Sequence, residues 1–221
     1  MMRLLLCVPL LLWCASGCNL ILSMQGTPGS GVIVSESRDV VDFEKVKFSG
    51  AMDVDYASAE AFSCEIEVDD NLQEFVTAVV DGGVLQISIT ESVRPTDSVK
   101  VRITSPTLSE VGLSGACDLN AKDIVNDSFT LKISGAADVV LAGQVETMVI
   151  ALSGAGDVDA TDMIAQDVTV GISGAGGVEV TAERSLNVGI SGSGDVRYQG
   201  NAEVSQKISG AGSVTKTNSD R

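Results

Sequence analysis

One seven-residue phrase occurs seven times in this 221-residue chain: an apolar residue, Ser, Gly, a small residue, a variable residue, then Asp, Gly or Ser, and finally Val or Leu. It reads FSGAMDV at 48–54, LSGACDL at 113–119, ISGAADV at 133–139, LSGAGDV at 152–158, ISGAGGV at 172–178, ISGSGDV at 190–196 and ISGAGSV at 208–214. From Ser114 onward the serines recur every 18–20 residues. So regular a period is typical of a stacked array, which presents an extended surface.

The residues between the phrases predict short strands. Apolar residues alternate in stretches such as 148–152 and 168–172, and polar corners such as Thr161-Asp162 separate them. Two or three short strands in 18–20 residues fit one coil of a parallel β-solenoid, whereas a helical solenoid needs longer periods and helix-forming residues. We therefore predict an all-β fold.

Stacking explains why the phrase repeats. Equivalent residues of successive coils lie about 4.8 Å apart, so like residues cover like residues. We expect the leading Ile or Leu and the trailing Val to face the core. Gly and Ala should mark a corner without room for side chains, where Ser bonds to its neighbours above and below. The Ser-Gly pairs of the regular region are Ser114-Gly115, Ser134-Gly135, Ser153-Gly154, Ser173-Gly174, Ser191-Gly192 and Ser209-Gly210.

The N-terminus resembles a secretory signal. Residues 1–17 contain Arg3, an apolar run that is too short to span a bilayer, and small residues before Cys18. The segment Ala15–Cys18 looks like a bacterial lipobox, in which Cys18 becomes acylated after cleavage. Simple secretion with cleavage after Gly17 is the alternative. Residues 18–31 then form a polar flexible tether.

One β domain is expected over residues 32–216, followed by a polar tail at 217–221. Its N-terminal part, 32–105, caps the array and contains strand patterns; its second part, 106–216, carries the regular repeats. In the first part we predict strands at 40–48, 64–68 and 99–104, a hairpin across Asp81-Gly82-Gly83, and a helical turn only at 69–74.

Charge and composition exclude several functions. Without Arg3, 13 basic residues stand against 30 acidic ones, a net charge of about −17, which repels nucleic acid and anionic lipid surfaces. The chain has no histidine, and its one tryptophan, Trp13, lies in the signal. Zinc sites and Ser-His-Asp hydrolysis are therefore not expected, and no cofactor is predicted apart from a possible Ca²⁺.

The acids of the phrase are the first candidate site. One interpretation is a carboxylate row that binds Ca²⁺, and another is an acid/base pair for glycosidic bonds. The third, which we favour, is that each Asp caps its own corner by accepting backbone amides, because two copies carry Gly177 and Ser213 instead. The candidates are Asp118, Asp138, Asp157 and Asp195, with Asp53 upstream.

Other candidates are one basic cluster and two cysteines. Arg94, Lys100 and Arg102 either meet an anionic glycan or form a solvated strand edge. After loss of the signal and acylation of Cys18, only Cys64 and Cys117 remain. An oxidising compartment permits a disulfide between them, and two buried free thiols are the alternative.

The mature chain resembles the head GIN domain family. The resemblance rests on Arg38-Asp39-Val40, Asp70-Asn71-Leu72, Asp81-Gly82-Gly83-Val84-Leu85 and the Ser-Gly-Ala-Gly-Asp-Val repeats. Members are secreted or lipid-anchored bacterial proteins described as auto-transporter adhesins, and their function is not known. The resemblance implies a right-handed, single-stranded parallel β-helix.

Together these observations predict a non-catalytic lipoprotein of the cell envelope, on the outer-membrane, periplasmic or surface side. Its β-helix would be a scaffold that binds a glycan or an envelope protein, and its lipid anchor would hold it on the membrane. A polysaccharide lyase or glycoside hydrolase on the same fold is the alternative function.

Overall fold

The structure is a computed structural model that describes residues 26–217, and the prediction of an all-β fold is confirmed. Its one helix is a single 3₁₀ segment, Asp70–Phe75. The first eight strands are β1 (Thr27–Pro28), β2 (Ile33–Arg38), β3 (Lys45–Ser58), β4 (Ser63–Asp69), β5 (Val76–Asp81), β6 (Val84–Ile89), β7 (Val93–Arg94) and β8 (Lys100–Ser105). The others are β9 (Glu110–Ile133), β10 (Ala136–Leu152), β11 (Val158–Ile172), β12 (Ala175–Ile190), β13 (Ser193–Gln199), β14 (Glu203–Ile208) and β15 (Ser213–Lys216).

The strands from β9 onward pair in parallel, each with the equivalent strand of the next repeat. Ala116 lies opposite Ala136, Val139 opposite Val158, and Ala175 opposite Ser193. These steps of 20, 19 and 18 residues are the sequence period, so we call each such stretch of chain a rung. Equivalent residues of the phrase therefore stack directly on one another.

Stacking builds a core of aliphatic columns. The residue before each Ser is buried from Phe48 to Ile190, and so is the Val or Leu that ends the phrase, from Val54 to Val196. Both predicted inward positions are thus confirmed. Burial of a whole Val, Leu or Ile side chain contributes about 1.5–3 kcal/mol, which offsets the entropy lost by the many glycines.

The N-terminal region is built differently and makes the thirteen-stranded sheet a mixed one. β3 pairs in parallel with β9 on one side and with β6 and β8 on the other. Beyond these, β5 pairs antiparallel with β6, β4 with β8, and β2 with β4. The first rung is therefore covered by strands that do not repeat.

Two of the local structures predicted for this region are present, and one strand is shorter than predicted. The hairpin is confirmed, because β5 and β6 are joined through Gly82 and Gly83, which have φ angles of 57° and 78°. The helical turn is confirmed at Asp70–Phe75. The strand expected at 40–48 begins only at Lys45, because Asp42 has φ 59°, which interrupts an extended chain.

Residues 26–31, which the sequence assigns to the tether, pack against the domain. β1 pairs with β7, and the Gly31 amide donates to Asp69 Oδ1 over 2.8 Å. The predicted signal peptide, the lipobox Ala15–Cys18 and most of the 217–221 tail lie outside the described residues. Between residues 26 and 217, no helix is long and apolar enough to cross a membrane.

Candidate binding face

One outward face of the stack is made by the five residues that end at each phrase serine. We call this the serine face; it comprises residues 45–49, 110–114, 130–134, 149–153, 169–173, 187–191 and 205–209. Along these strands the second and fourth residues point inward, so the first, third and fifth form three outward columns. The fifth column is serine in every rung.

A groove of about 770 Å³ runs along this face. It extends from Gln86 and Ser88 of β6 to Gly189 of β12 and Ser191 just beyond it, which is seven stacked strand segments, because β9 contributes two of them. Six steps of one strand spacing give it a length of about 29 Å. Serine hydroxyls line one side, and its floor lacks long side chains at Gly112, Ala151, Gly171 and Gly189.

The phrase glycines hold the corner beside the groove closed. A Cβ built on Gly154 would lie 1.8 Å from the carbonyl oxygen of Gly135, and one on Gly174 would lie 1.8 Å from that of Gly154. Gly115, Gly135, Gly192 and Gly210 have the same relation to the glycine one rung before, at 1.9–2.1 Å. The prediction that these corners have no room is confirmed, and the cause is contact between stacked backbones.

The serines bond to the preceding rung. The Ser153 amide and hydroxyl both donate to the Ile133 carbonyl, over 2.9 and 3.1 Å. The hydroxyls of Ser134 and Ser209 donate in the same way, over 3.4 Å. Because a hydroxyl that donates still has acceptor lone pairs, the serine column presents a row of acceptors to the groove.

The charge of the serine face is opposite to that of the whole chain. Its seven segments contain four lysines, Lys45, Lys47, Lys132 and Lys207, and a single acid, Glu110. Lys132 Nζ lies 2.8 Å from Glu110 Oε1. The hydrogen bond from Lys132, with the charges of Lys132, Lys45 and Lys47, holds the pKa of Glu110 below its ordinary value. In a chain of net charge −16, this local excess of lysines favours anionic ligands at the serine face.

The phrase acids lie on a different side and mainly serve the backbone. Asp157 Oδ1 accepts the Gly177 amide over 2.7 Å, and Asp195 Oδ1 accepts the Ser213 amide over 2.9 Å. Asp138 Oδ1 accepts the Asp157 amide more weakly, over 3.3 Å. Our expectation that each Asp caps its own corner is therefore wrong in one respect: the amide belongs to the next rung, because equivalent residues stack.

These acids do not gather into a metal site within residues 26–217, where no three His, Cys, Asp or Glu side chains are placed to hold an ion together. Asp118 stacks between Asp53 and Asp138. Asp53 accepts a hydrogen bond from the Ser98 hydroxyl over 2.5 Å. The row is thus a column of separate carboxylates, most of which have a hydrogen-bond donor of their own.

Comparison with known proteins identifies the family of this chain. Residues 42–202 match the model of the family described as "Putative auto-transporter adhesin, head GIN domain". The chain belongs to this family. Among curated proteins nothing matches it.

Three solved structures are similar to this head GIN domain. A putative adhesin from Bacteroides fragilis is 22% identical, covers 87% of this chain and 100% of its own, and has a TM-score of 0.68. A putative lipid binding protein from Parabacteroides distasonis is 23% identical; the match covers 87% of this chain and 100% of that protein's chain, with a TM-score of 0.56. A putative adhesin from Parabacteroides merdae is 22% identical; the match covers 87% of this chain and 99% of that protein's chain, with a TM-score of 0.54. At these identities the likeness establishes the fold alone.

The basic cluster of this head GIN domain is largely neutralised. Lys100 Nζ lies 2.9 Å from Asp97 and 3.6 Å from Glu67, and Arg102 lies 3.2 Å from Glu67. Arg94 donates to the Gly26 carbonyl over 3.3 Å. These contacts match the solvated-edge interpretation better than an anion site.

The two cysteines of the head GIN domain are buried free thiols in the structure. Cys64 lies on β4 and Cys117 on β9. Cys117 Sγ donates to the Gly50 carbonyl over 3.4 Å. Burial raises the pKa of each thiol to about 11, so both are protonated at neutral pH.

Sequence analysis missed the lysines of the serine face and the glycines of the groove floor. Apart from Lys45, which lies four residues before Ser49, both occupy the position two residues before the phrase serine. Reading that column through the seven copies gives Lys47, Gly112, Lys132, Ala151, Gly171, Gly189 and Lys207. The signal was available, but it becomes visible only when the repeats are aligned to include the residues before the phrase.

Proposed function

We propose that this protein is a non-catalytic adhesin of the cell envelope that binds an extended polymer, a glycan or a protein, along the serine face. We also propose that its parallel rungs form a right-handed β-helix. Parallel pairing at steps of 18–20 residues supports the solenoid, and the strong preference of parallel β crossovers for the right-handed form supports its hand. The observation that carries the proposal is the groove of about 770 Å³ on the serine face, whose seven segments contain four lysines and one acid.

The shape of the groove favours a linear ligand. It crosses seven stacked strand segments, and Gly112, Ala151, Gly171 and Gly189 in its floor leave backbone and small side chains accessible over several rungs. A polymer that lies along the stack could meet hydroxyls repeated at every rung. Repeated weak contacts add up when they are linked in one chain, so affinity should grow with polymer length.

A binding role is favoured over the lyase or hydrolase alternative by the positions of the charged groups. Asp157 and Asp195 bond to backbone amides away from the groove, and Lys132 is paired with Glu110 inside it. Catalysis of glycoside cleavage needs two facing carboxylates, and the serine face has one acid.

The test uses the purified full-length chain and linear polysaccharides of defined charge: alginate, polygalacturonate, hyaluronan and neutral dextran, each with and without calcium. Binding is measured by biolayer interferometry, and unsaturated or reducing ends are measured in the same mixtures. We expect length-dependent binding without cleavage. Cleavage would establish the enzyme alternative. If no polysaccharide binds, a protein ligand is tested by crosslinking the chain to envelope proteins. Failure to bind either kind of ligand would refute the proposal.

Gly189→Glu tests whether the serine face is the site. A Cβ on Gly189 has no atom within 4 Å, so a side chain can start there without a clash, and Gly189 lines the groove, so the substitution brings a negative charge to it. Binding of an anionic polymer should fall more than about tenfold, since like charges brought together in an interface cost several kcal/mol. Val140→Glu is the matched control, because Val140 is 46% exposed on the side that carries the phrase acids. Equal loss in both variants would contradict the site.

The lipid anchor is a separate proposal that rests on Ala15–Cys18. Cys18→Ser should move the protein from the membrane fraction to the soluble envelope fraction, since acyl chains supply about 0.8 kcal/mol of membrane affinity per buried methylene. Ser16→Ala is the matched control and should remain in the membrane fraction. Unchanged fractionation of Cys18→Ser would refute the anchor.

A further inference from the structure

The last rung that the structure describes has a free strand edge. β14 pairs only with β12, and β15 pairs only with β13. The Ser209 amide donates backward to the Ile190 carbonyl over 2.8 Å. Because alternate residues of a strand direct their backbone groups to opposite sides, Val204, Gln206 and Ile208 direct theirs to the open side.

The aliphatic columns are also uncovered at this edge. Ile190 is 2% exposed, whereas Ile208, the next residue of the same column, is 38% exposed. Gln206 occupies the column position that Val188 holds one rung before. An edge with unpaired backbone groups beside a partly uncovered core is a template for another strand.

We propose that this edge binds the same edge of a second copy of the chain. In an antiparallel pair with its twofold axis at Ser205, Val204 and Gln206 of the two copies would exchange backbone hydrogen bonds. Ser205 would face Ser205, and Glu203 would face Lys207 on both sides of the axis. Within residues 26–217 neither Glu203 nor Lys207 has an ion-pair partner of its own.

Charge complementarity selects a second copy over an arbitrary strand. Glu203 and Lys207 lie two residues on either side of Ser205 with opposite charge, which is the arrangement that a twofold interface requires. They would lie opposite each other at positions without backbone hydrogen bonds, where side chains approach most closely. Opposite charges directly across an antiparallel pair are stabilising and like charges are destabilising.

Exchange of charges provides the test. Full-length protein is prepared with two different affinity tags, and self-association is measured by co-purification and by sedimentation velocity over a range of concentrations. Glu203→Lys and Lys207→Glu, each alone, should weaken self-association by roughly an order of magnitude, because each creates two like-charge contacts. A mixture of the two variants should associate as wild type does, because each contact then joins Lys to Glu again.

Lys122→Glu is the control for net charge, because Lys122 is exposed on an earlier rung; it should associate as wild type does. A wild type that is monomeric at every concentration would overturn the proposal. So would single variants that associate normally, or a mixture that fails to recover. At concentrations where the wild type is monomeric, the thermal midpoints of the variants should match that of wild type, since neither side chain makes an ion pair within the described chain.

Discussion

The N-terminal and C-terminal regions of this molecule solve the same packing problem in opposite ways. From β9 to the rung before the last, most residues are covered by their equivalents in the next rung, so one set of residues serves successive interfaces. Between residues 26 and 105 each strand has a different neighbour and often a different direction. Interactions there are individual, as in the hydrogen bonds of Tyr56 with Ser105 or the Phe43–Phe62 ring contact at 5.1 Å.

The two arrangements respond differently to an unfavourable substitution. In the repeated region a residue that fits one rung fits all, but a residue that blocks stacking separates two rungs over the whole corner. In the N-terminal region, failure of one side chain affects only the elements that it joins. Substitutions that block stacking in the repeated region should therefore lower stability more, and disturb more neighbouring residues, than substitutions in the N-terminal region.

The largest effect is expected from Gly154→Val in the repeated region. Its Cβ would lie 1.8 Å from the Gly135 carbonyl oxygen, a distance that requires the rungs to separate. We expect a loss of about 3 kcal/mol or more in the free energy of unfolding, measured by urea denaturation. Gly189→Val is the matched control, because its Cβ has open space, and should change stability by less than about 1 kcal/mol. Similar midpoints for the two variants would contradict the stacking contact.

How far the sequence could predict the structure follows from the same contrast. The columns of Ile, Val, Ser and Gly could be predicted because residues with equal environments are repeated in the chain itself. Asp69 could not: it is fully buried, and its partners Gly31 and Thr96 lie 38 and 27 residues away in sequence. The acceptor role of the phrase Asp was predicted, but its partner was misplaced by one rung, since the periodicity does not reveal which neighbour an oxygen faces.

The second effect tests the N-terminal region through Asp69→Asn. Asp69 accepts the Thr96 amide over 2.8 Å and hydroxyl over 2.7 Å as well as the Gly31 amide, so its carboxylate joins the 26–31 segment to the loop before β8. The variant replaces an acceptor oxygen with a donor group, which cannot accept these bonds. We expect a lower thermal midpoint, smaller in effect than Gly154→Val, and earlier proteolysis near residue 31. Asp118→Asn is the control, because the Asp118 side chain is exposed, and it should leave the thermal midpoint close to that of wild type.

Asp69 also predicts a pH dependence. The Thr96 amide bond, with the other bonds to this carboxylate, holds the pKa of Asp69 below its ordinary value of 3.8. A lowered folded pKa means that the ionised group stabilises the fold above the ordinary value, and that this stabilisation is lost as the pH falls through the folded value. Thermal midpoints of wild type should therefore fall more steeply below about pH 4 than those of Asp69→Asn. Parallel pH profiles would contradict the assignment.

A smaller loss of stability is expected when a phrase acid that accepts a backbone amide is removed. Asp157→Ala removes the acceptor of the Gly177 amide and should cost about 1 kcal/mol in the free energy of unfolding, the usual value of one hydrogen bond. Asp118→Ala is the matched control, because its neighbours on both sides are also acids and their repulsion is relieved. If Asp118→Ala proved the more destabilising of the two, the phrase acids would not be backbone caps.

The smallest effect should come from Cys117→Ala, and it compares the two regions at a single residue type. Cys117 stacks on Ala137, so the repeat already accommodates alanine in that column, and unfolding free energy should change by less than about 1 kcal/mol. Cys64→Ala should cost more, because Cys64 packs in the non-repeating sheet, opposite Arg38 and Ile103.

With pKa values raised to about 11, both thiols of the wild type should resist alkylation at neutral pH while folded and react once urea unfolds the chain. Thiols that stay unreactive after unfolding until a reductant is added would instead reveal a disulfide between them, and the free-thiol arrangement would be wrong.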